Sequence, residues 1–302
     1  MTATPFVGRY RILRHVRTTA LSVIRLAFDP NLGRRVILKE FLVDTEHPEP
    51  PLSHAEWKAL FLREGRIMGR IDHPNVLPIL ETFSEPRSAA ARDALRPFDP
   101  PDVRKRQERR PADEPALVHV MPPMACDLVR IVGNDDDFDE NSENRARALR
   151  RDLAISAIAQ TLSALAKLHE ARIVHRDVKP GNILISSLDV GRARLCDFGM
   201  AKLGAERDLP ERFWIGSRAY MAPEQYEDSG LAVPASDVNA LGRLGMRILS
   251  GKPPSKTGEL PWTDDDFKAI ERPKLAEILK AALSERPSER PAAAEALRRI
   301  LS

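Results

Sequence analysis

Residues 9–41 are dense in apolar and β-branched positions set between turn residues, and read as strands. Residues 21–28 and 35–41 are two such runs, and Asp29-Pro30-Asn31-Leu32-Gly33 between them supplies turn residues. A proline-bearing loop follows over residues 47–52. The pattern then changes: Leu60, Ile67, Met68 and Ile71 recur at helical spacing, which predicts a helix over 54–71. Ser53 with Glu56 forms a capping-box pattern at its start, and Asp72-His73-Pro74-Asn75 ends it. Residues 77–84 and 116–121 are the next predicted strands. Between them, residues 86–115 are rich in proline, alanine and arginine and read as a flexible insertion. The apolar stretch 153–168 carries Ser156, Gln160, Thr161, Ser163 and Lys167, so it is too short and too polar to span a bilayer and reads as a buried helix. The remainder is mostly helical apart from a loop-rich region over 171–225. Strands come first and helices after, the order of an α+β fold in two lobes.

Composition narrows the classes. The chain has 302 residues, 42% of them hydrophobic and 30% charged, which suits a folded chain of two lobes and not a disordered one. A net charge of +3 gives no electrostatic footprint for a nucleic-acid partner. Cys126 and Cys196 make neither a disulfide framework nor a Cys-x-x-Cys zinc site, and they favour a reducing, cytoplasmic setting. The first twelve residues hold no apolar leader core. The acidic run Asp135 to Glu143 lacks the spacing and glycine of a calcium loop and reads as a solvated segment. Arg104-Lys105-Arg106 in the insertion reads the same way, with partner docking as the lesser reading.

The chemistry concentrates in His175-Arg176-Asp177-Val178-Lys179-Pro180-Gly181-Asn182, followed by the short predicted strand Ile183-Leu184-Ile185. A carboxylate, an ammonium and an amide oxygen are crowded into one loop. Phosphoryl transfer needs those groups: an acceptor for a hydroxyl proton, a cation beside the moving phosphoryl and an oxygen ligand for Mg²⁺. Leu195-Cys196-Asp197-Phe198-Gly199 then sets a second carboxylate after another short strand.

In order and spacing these segments resemble the H-R-D-x-K-x-x-N and D-F-G signatures of the eukaryotic-like Ser/Thr protein kinase family, from about Tyr10 to Leu297. The resemblance implies a two-lobed kinase-like fold: a small β-rich N-lobe with one main helix over 9–121, carrying the insertion, and a larger helical C-lobe over 122–302, with ATP between them. It implies Asp177 as catalytic base, Lys179 at the γ-phosphate, and Asn182 and Asp197 as Mg²⁺ ligands. Lys39, in Val36-Ile37-Leu38-Lys39, would grip the α/β-phosphates and pair with Glu64. Arg17, Thr19, Ser22, Ile24, Ile37, Pro122, Met124 and Leu184 complete the implied ATP contacts, through the Pro122 carbonyl and the Met124 N–H at the hinge. A register slip of one residue would set a proline at the donor position instead. Ala222-Pro223-Glu224 resembles A-P-E, with Arg290 as the partner of Glu224. Ser217 matches the position that favours Ser/Thr hydroxyls of protein substrates.

Two departures stand out. The expected glycine-rich loop falls on Arg17-Thr18-Thr19-Ala20-Leu21-Ser22, without glycine, and Ile37 adds bulk over the base site. Residues 200–215 contain no Ser, Thr or Tyr, so Glu206, Asp208 or Glu211 is expected to pair with Arg176 in place of an activating phosphate. The two readings are an ATP- and Mg²⁺-dependent Ser/Thr protein kinase and, alternatively, a pseudokinase scaffold with weak or no turnover.

Overall fold

The computed structural model describes residues 5–43, 52–86, 88–110, 114–132, 144–187, 191–204 and 216–301. The chain divides into two compact units, Met1–Arg70 with Leu77–Pro123, and Ile71–Val76 with Met124–Ser302.

The first unit is built on an antiparallel sheet of β1 (Phe6–Val7), β2 (Tyr10–Thr18), β3 (Ser22–Asp29), β4 (Arg34–Phe41), β5 (Glu81–Glu85) and β6 (Ala116–Met121), in the order β1-β2-β3-β4-β6-β5. Alternation sets its faces. On β3, Val23, Arg25, Ala27 and Asp29 are buried, and Ile24, Leu26 and Phe28 are half-buried. On β4, Val36, Leu38 and Glu40 are buried, and Ile37 and Lys39 are half-buried. Tyr10, Ile12, Ala27, Val36, Leu38 and Val118 fill the core on the inner face. The helix α1 (His54–Met68) starts at the predicted cap: Glu56 N–H donates to Ser53 Oγ at 3.3 Å, and Ser53 N–H donates to Glu56 Oε2 at 2.7 Å. It stops at Met68, with Gly69 as its C-cap, short of the predicted 71. The strand predicted over 77–84 is confined to β5, because Pro78 has no N–H for a ladder.

Where a loop insertion is predicted over 86–115, the chain forms α2 (Ala89–Leu95) and α3 (Pro101–Arg109). Ser88 caps α2 by accepting from Ala91 N–H at 3.2 Å, and Pro101 opens α3. Leu95 and Val103 are fully buried; Leu95 joins the sheet core, and Val103 packs with Val23 and Leu42. A buried ionic cluster fastens the insertion to the sheet. Arg25, 1% exposed, donates to Glu40 Oε2 at 2.5 Å and to both Asp99 oxygens at 2.8 and 2.9 Å. Gln107 adds a bond to Asp99 at 3.1 Å, and Arg110 one to Glu40 at 3.2 Å. Burial opposes the charge on Arg25, but the two carboxylates outweigh it and raise its pKa.

The second unit is mainly helical. Its elements are β7 (Cys126–Asp127), α4 (Val129–Val132), α5 (Asn144–Glu170), β8 (Ile173–Val174), β9 (Ile183–Ile185), β10 (Ala193–Leu195), β11 (Lys202–Leu203), α6 (Pro223–Glu227), α7 (Pro234–Ser250), α8 (Asp264–Lys268), α9 (Pro273–Ala282) and α10 (Ala293–Leu301). The short strands form a β10-β9-β7 sheet and a β11-β8 pair. The apolar stretch 153–168 is the buried part of the longer α5, through Ala157, Ile158, Leu162, Leu165 and Leu168. Residues 71–76 belong here because Asn75 accepts from Leu195 N–H at 2.8 Å and donates to Ala193 O at 2.9 Å, while Val76 bridges to Leu195. Among the described residues no helix is long and apolar enough to cross a membrane.

Candidate active site

In the first unit the ladder brings four of the predicted residues onto one face. Lys39 pairs in register with Ile24 on β3 and with His119 on β6, and Ile37 pairs with Leu26 and Met121. Arg17 stands opposite Ile24. Lys39 Nζ lies 2.7 and 2.8 Å from the two carboxylate oxygens of Glu64 on α1, and the Glu64 side chain is 3% exposed. The predicted pair is therefore present, as a two-oxygen contact out of bulk water.

The support behind that pair is absent from the sequence reading. His119 is fully buried, stacks on Phe61 with centroids 4.0 Å apart, and bonds Phe61 O and Thr82 Oγ1 at 2.9 Å each. Burial, against the Phe61 carbonyl and with help from Lys39, pushes its pKa down to about 4, so the ring is neutral at pH 7. Gly65 lets α1 approach this ring: a Cβ there would meet His119 Cε1 at 2.7 Å. Because Gly65 follows Glu64, this close approach sets where the carboxylate stands. A glycine inside a helix at this point was the available signal.

The glycine-free loop joins β2 to β3 as a closed turn. Thr19 N–H donates to Ser22 O at 2.8 Å, and Thr19 Oγ1 accepts from Ser22 N–H at 3.0 Å and Leu21 N–H at 3.3 Å. Ser22 is fully buried, and its hydroxyl bonds Thr19 Oγ1 at 2.8 Å. Pro122 is the penultimate residue of the first unit and Met124 opens the main segment of the second, both half-buried.

In the second unit Asp177 is the centre of a compact cluster. Its Oδ2 accepts from Lys179 Nζ at 2.7 Å and Asn182 Nδ2 at 2.9 Å, and its Oδ1 accepts from Ser217 N–H at 3.0 Å. Asn182 Nδ2 also donates to Asp177 O at 2.8 Å, and Lys179 Nζ donates to Ser217 Oγ at 2.7 Å. Gly216, at φ 115°, makes room for this: a Cβ there would stand 3.3 Å from Arg176 O and 3.4 Å from Asp177 Oδ1. Cys196 N–H donates to Asn182 O at 2.9 Å, which tethers the residue before Asp197 to the Asn182 backbone. Leu184, half-buried on β9, pairs with Asp127 and Arg194.

Asp237, in the first turn of α7, holds the loop before Asp177. Its carboxylate accepts from His175 N–H and Arg176 N–H at 2.9 Å each and contacts His169 Nε2 at 2.9 Å. These bonds hold Arg176 at φ 70°, a left-handed conformation that costs a non-glycine residue free energy. His175 itself bonds Cys196 O at 3.0 Å and meets Phe198 edge-on at 4.9 Å. Asp197 also has positive φ, 66°. The predicted Glu224–Arg290 pair is bidentate, at 2.7 and 2.8 Å, with the Arg290 side chain fully buried. Burial works to raise the Glu224 pKa, but Arg290 and Ser236 outweigh it and hold it low. Glu206, Asp208 and Glu211, the expected partners of Arg176, lie outside the described residues, as do Asp135 to Glu140 and Glu143.

Residues 20–300 match the protein kinase domain family. The chain is 32% identical over 253 residues to the DNA damage-responsive serine/threonine-protein kinase RqkA of Deinococcus radiodurans, which covers 83% of this chain and 31% of that protein. It is 29% identical over 248 residues to the serine/threonine-protein kinase PknA of Mycobacterium tuberculosis, covering 82% of this chain and 48% of that one. A probable serine/threonine-protein kinase PknB of Bifidobacterium longum is 26% identical over 275 residues, 90% of this chain and 33% of its own length. The chain thus spans less than half the length of each of these relatives.

Proposed function

The chain belongs to the protein kinase family, and on that premise we propose that it transfers the γ-phosphoryl group of ATP to Ser or Thr hydroxyls of protein substrates. The observation that carries the reading is the cluster of Asp177, Lys179, Asn182 and Ser217. The substrate oxygen forms a bond to the γ-phosphorus, the bond from that phosphorus to the β–γ bridging oxygen breaks, and ADP leaves. Asp177 accepts the hydroxyl proton. Lys179 and the Ser217 N–H fix the rotamer of that carboxylate, and Lys179 supplies positive charge beside the transferred group. Lys39, oriented by Glu64, holds the α/β-phosphates.

Asn182 and Asp197 are the residues that would hold Mg²⁺. Asn182 directs its amide N–H bonds to Asp177, so its Oδ1 is the atom it would offer a cation. With the Asp197 carboxylate this gives hard oxygen donors of the kind Mg²⁺ takes. The bound ion would neutralise charge developing on the phosphate oxygens. Cys126 and Cys196 are part-exposed and in no disulfide, which supports a reducing cytoplasmic setting.

The test is incubation with γ-labelled ATP, Mg²⁺ and a generic protein substrate, beside Asp177→Asn. The expected result is label on phosphoserine and phosphothreonine, reduced by about 10²- to 10⁴-fold in the variant. Equal or absent label in both proteins would leave the scaffold reading in its place.

A further inference from the structure

The glycine-free loop has an external support. Arg106 on α3 donates from its Nη1 to Thr19 O at 2.6 Å and lies 3.5 Å from Ala20 O. These are the carbonyls at the tip of the turn that joins β2 and β3. Arg106 reaches them from 87 residues away in sequence. The helix that carries it is fixed on the same side. Val103, one helical turn before it, packs with Val23 and Leu42, and Gln107, next to it, is tied to Asp99 and through Asp99 to Arg25. The loop is also secured from the end of β4, where the next residue, Leu42, donates its N–H to Leu21 O at 2.9 Å.

We infer that Arg106 is a positioning residue for nucleotide: its guanidinium holds the tip of the loop over residues 17–22 in one conformation, so that the loop meets phosphate without the glycines such a loop ordinarily uses. A loop with side chains at every position cannot bring its backbone N–H groups to an anion by adopting positive φ cheaply. It can do so if its conformation is fixed in advance, because binding then carries no ordering cost. A cationic donor on two adjacent carbonyls is a strong fixing contact. It also orients the Thr19–Ala20 peptide, since a Thr19 carbonyl drawn toward Arg106 turns the Ala20 N–H the other way. In this reading the insertion exists to carry the brace. It rests on the phosphoryl-transfer function proposed above.

The variants are Arg106→Ala, Arg106→Lys and, as a control on the same helix, Lys105→Ala. ATP KM and kcat are measured for each, with hydrogen exchange at the Leu21 and Ser22 amides. Loss of one charge-assisted contact predicts a KM for ATP raised about tenfold in Arg106→Ala, with kcat changed less than about twofold. Lysine, which keeps a cationic donor, recovers most of the loss, and Lys105→Ala matches the wild-type chain. The two amides exchange about tenfold faster in Arg106→Ala. A wild-type KM in Arg106→Ala, or an equal loss in Lys105→Ala, overturns the inference. If the wild-type chain transfers no phosphoryl group, the functional reading fails and the brace is decided by amide exchange alone: faster exchange in Arg106→Ala upholds it, and equal exchange rejects it.

Discussion

Replacing Gly65 by alanine drives a methyl group into the ring of His119. The new Cβ would stand 2.7 Å from Cε1 and 3.3 Å from each ring nitrogen. The ring has no room to yield. It is fully buried, stacked on Phe61 and bonded at both nitrogens. α1 must therefore withdraw by roughly 0.7 Å, the difference between 2.7 Å and the 3.4 Å at which ordinary contact begins. Overpacking of this kind costs about 1–3 kcal/mol. In a chain of this size that lowers Tm by roughly 2–4 °C per kcal/mol. The same withdrawal stretches the Lys39–Glu64 contacts from 2.7 and 2.8 Å, toward the limit of about 3.2 Å for such bonds. Phosphoryl transfer should fall by about tenfold. The assay is a double-mutant cycle with His119→Ala, read by thermal unfolding and by labelling rate. With the ring removed the methyl group has space, so Gly65→Ala should cost less in that background, with a coupling of about 1–3 kcal/mol. An equal cost in both backgrounds, or a wild-type Tm for Gly65→Ala alone, refutes the reasoning.

Two further perturbations test the packing. Arg290→Ala strands a half-buried carboxylate and should destabilise the chain by about 3 kcal/mol at pH 7. Because Arg290 and Ser236 hold the Glu224 pKa below its ordinary 4.5, the pair stabilises fully above that pH and loses its effect as pH falls below it. The Tm curves of Arg290→Ala and the wild-type chain should therefore converge in acid; a constant gap down to pH 3 contradicts the assignment. Asp99→Ala leaves Arg25, 1% exposed, with Glu40 as its remaining carboxylate in the cluster. A loss of about 3–5 kcal/mol is expected in urea unfolding, and unchanged stability would show that the insertion is not fastened by this cluster.

The features legible in the sequence were those written in local pattern. Apolar runs on either side of a turn sequence located β3 and β4, the Ser53–Glu56 box located the start of α1, and motif spacing picked out the Asp177 cluster, the Lys39–Glu64 pair and the Glu224–Arg290 pair. What escaped depends on residues distant in sequence. Residues 86–115 have a loop-like composition, and their helices are stabilised by Leu95, Val103 and Asp99 meeting the sheet. Arg25 did offer a clue, because an arginine at an inward position of an alternating strand requires a buried counter-charge. The use of Gly65 for packing against His119 depends on a strand 54 residues away, since 119 minus 65 is 54, and no periodicity reports that.

The assignment of Ile71–Val76 to the second unit has a consequence for how the chain is made. Synthesis proceeds from the N-terminus, and Asn75 finds its partner Ala193 only 118 residues later. Until β10 has emerged, this short segment has no β10 to join. The first unit is likewise discontinuous, since Leu77–Pro123 must return to a sheet begun by Phe6–Phe41. Such distant pairings raise contact order and slow folding relative to a helical chain of equal length. The link between Met68 and Leu77 thus makes completion of the second unit depend on chain added well after it, and no single cut in the polypeptide yields that unit alone: a cut after Pro123 leaves Ile71–Val76 with the first.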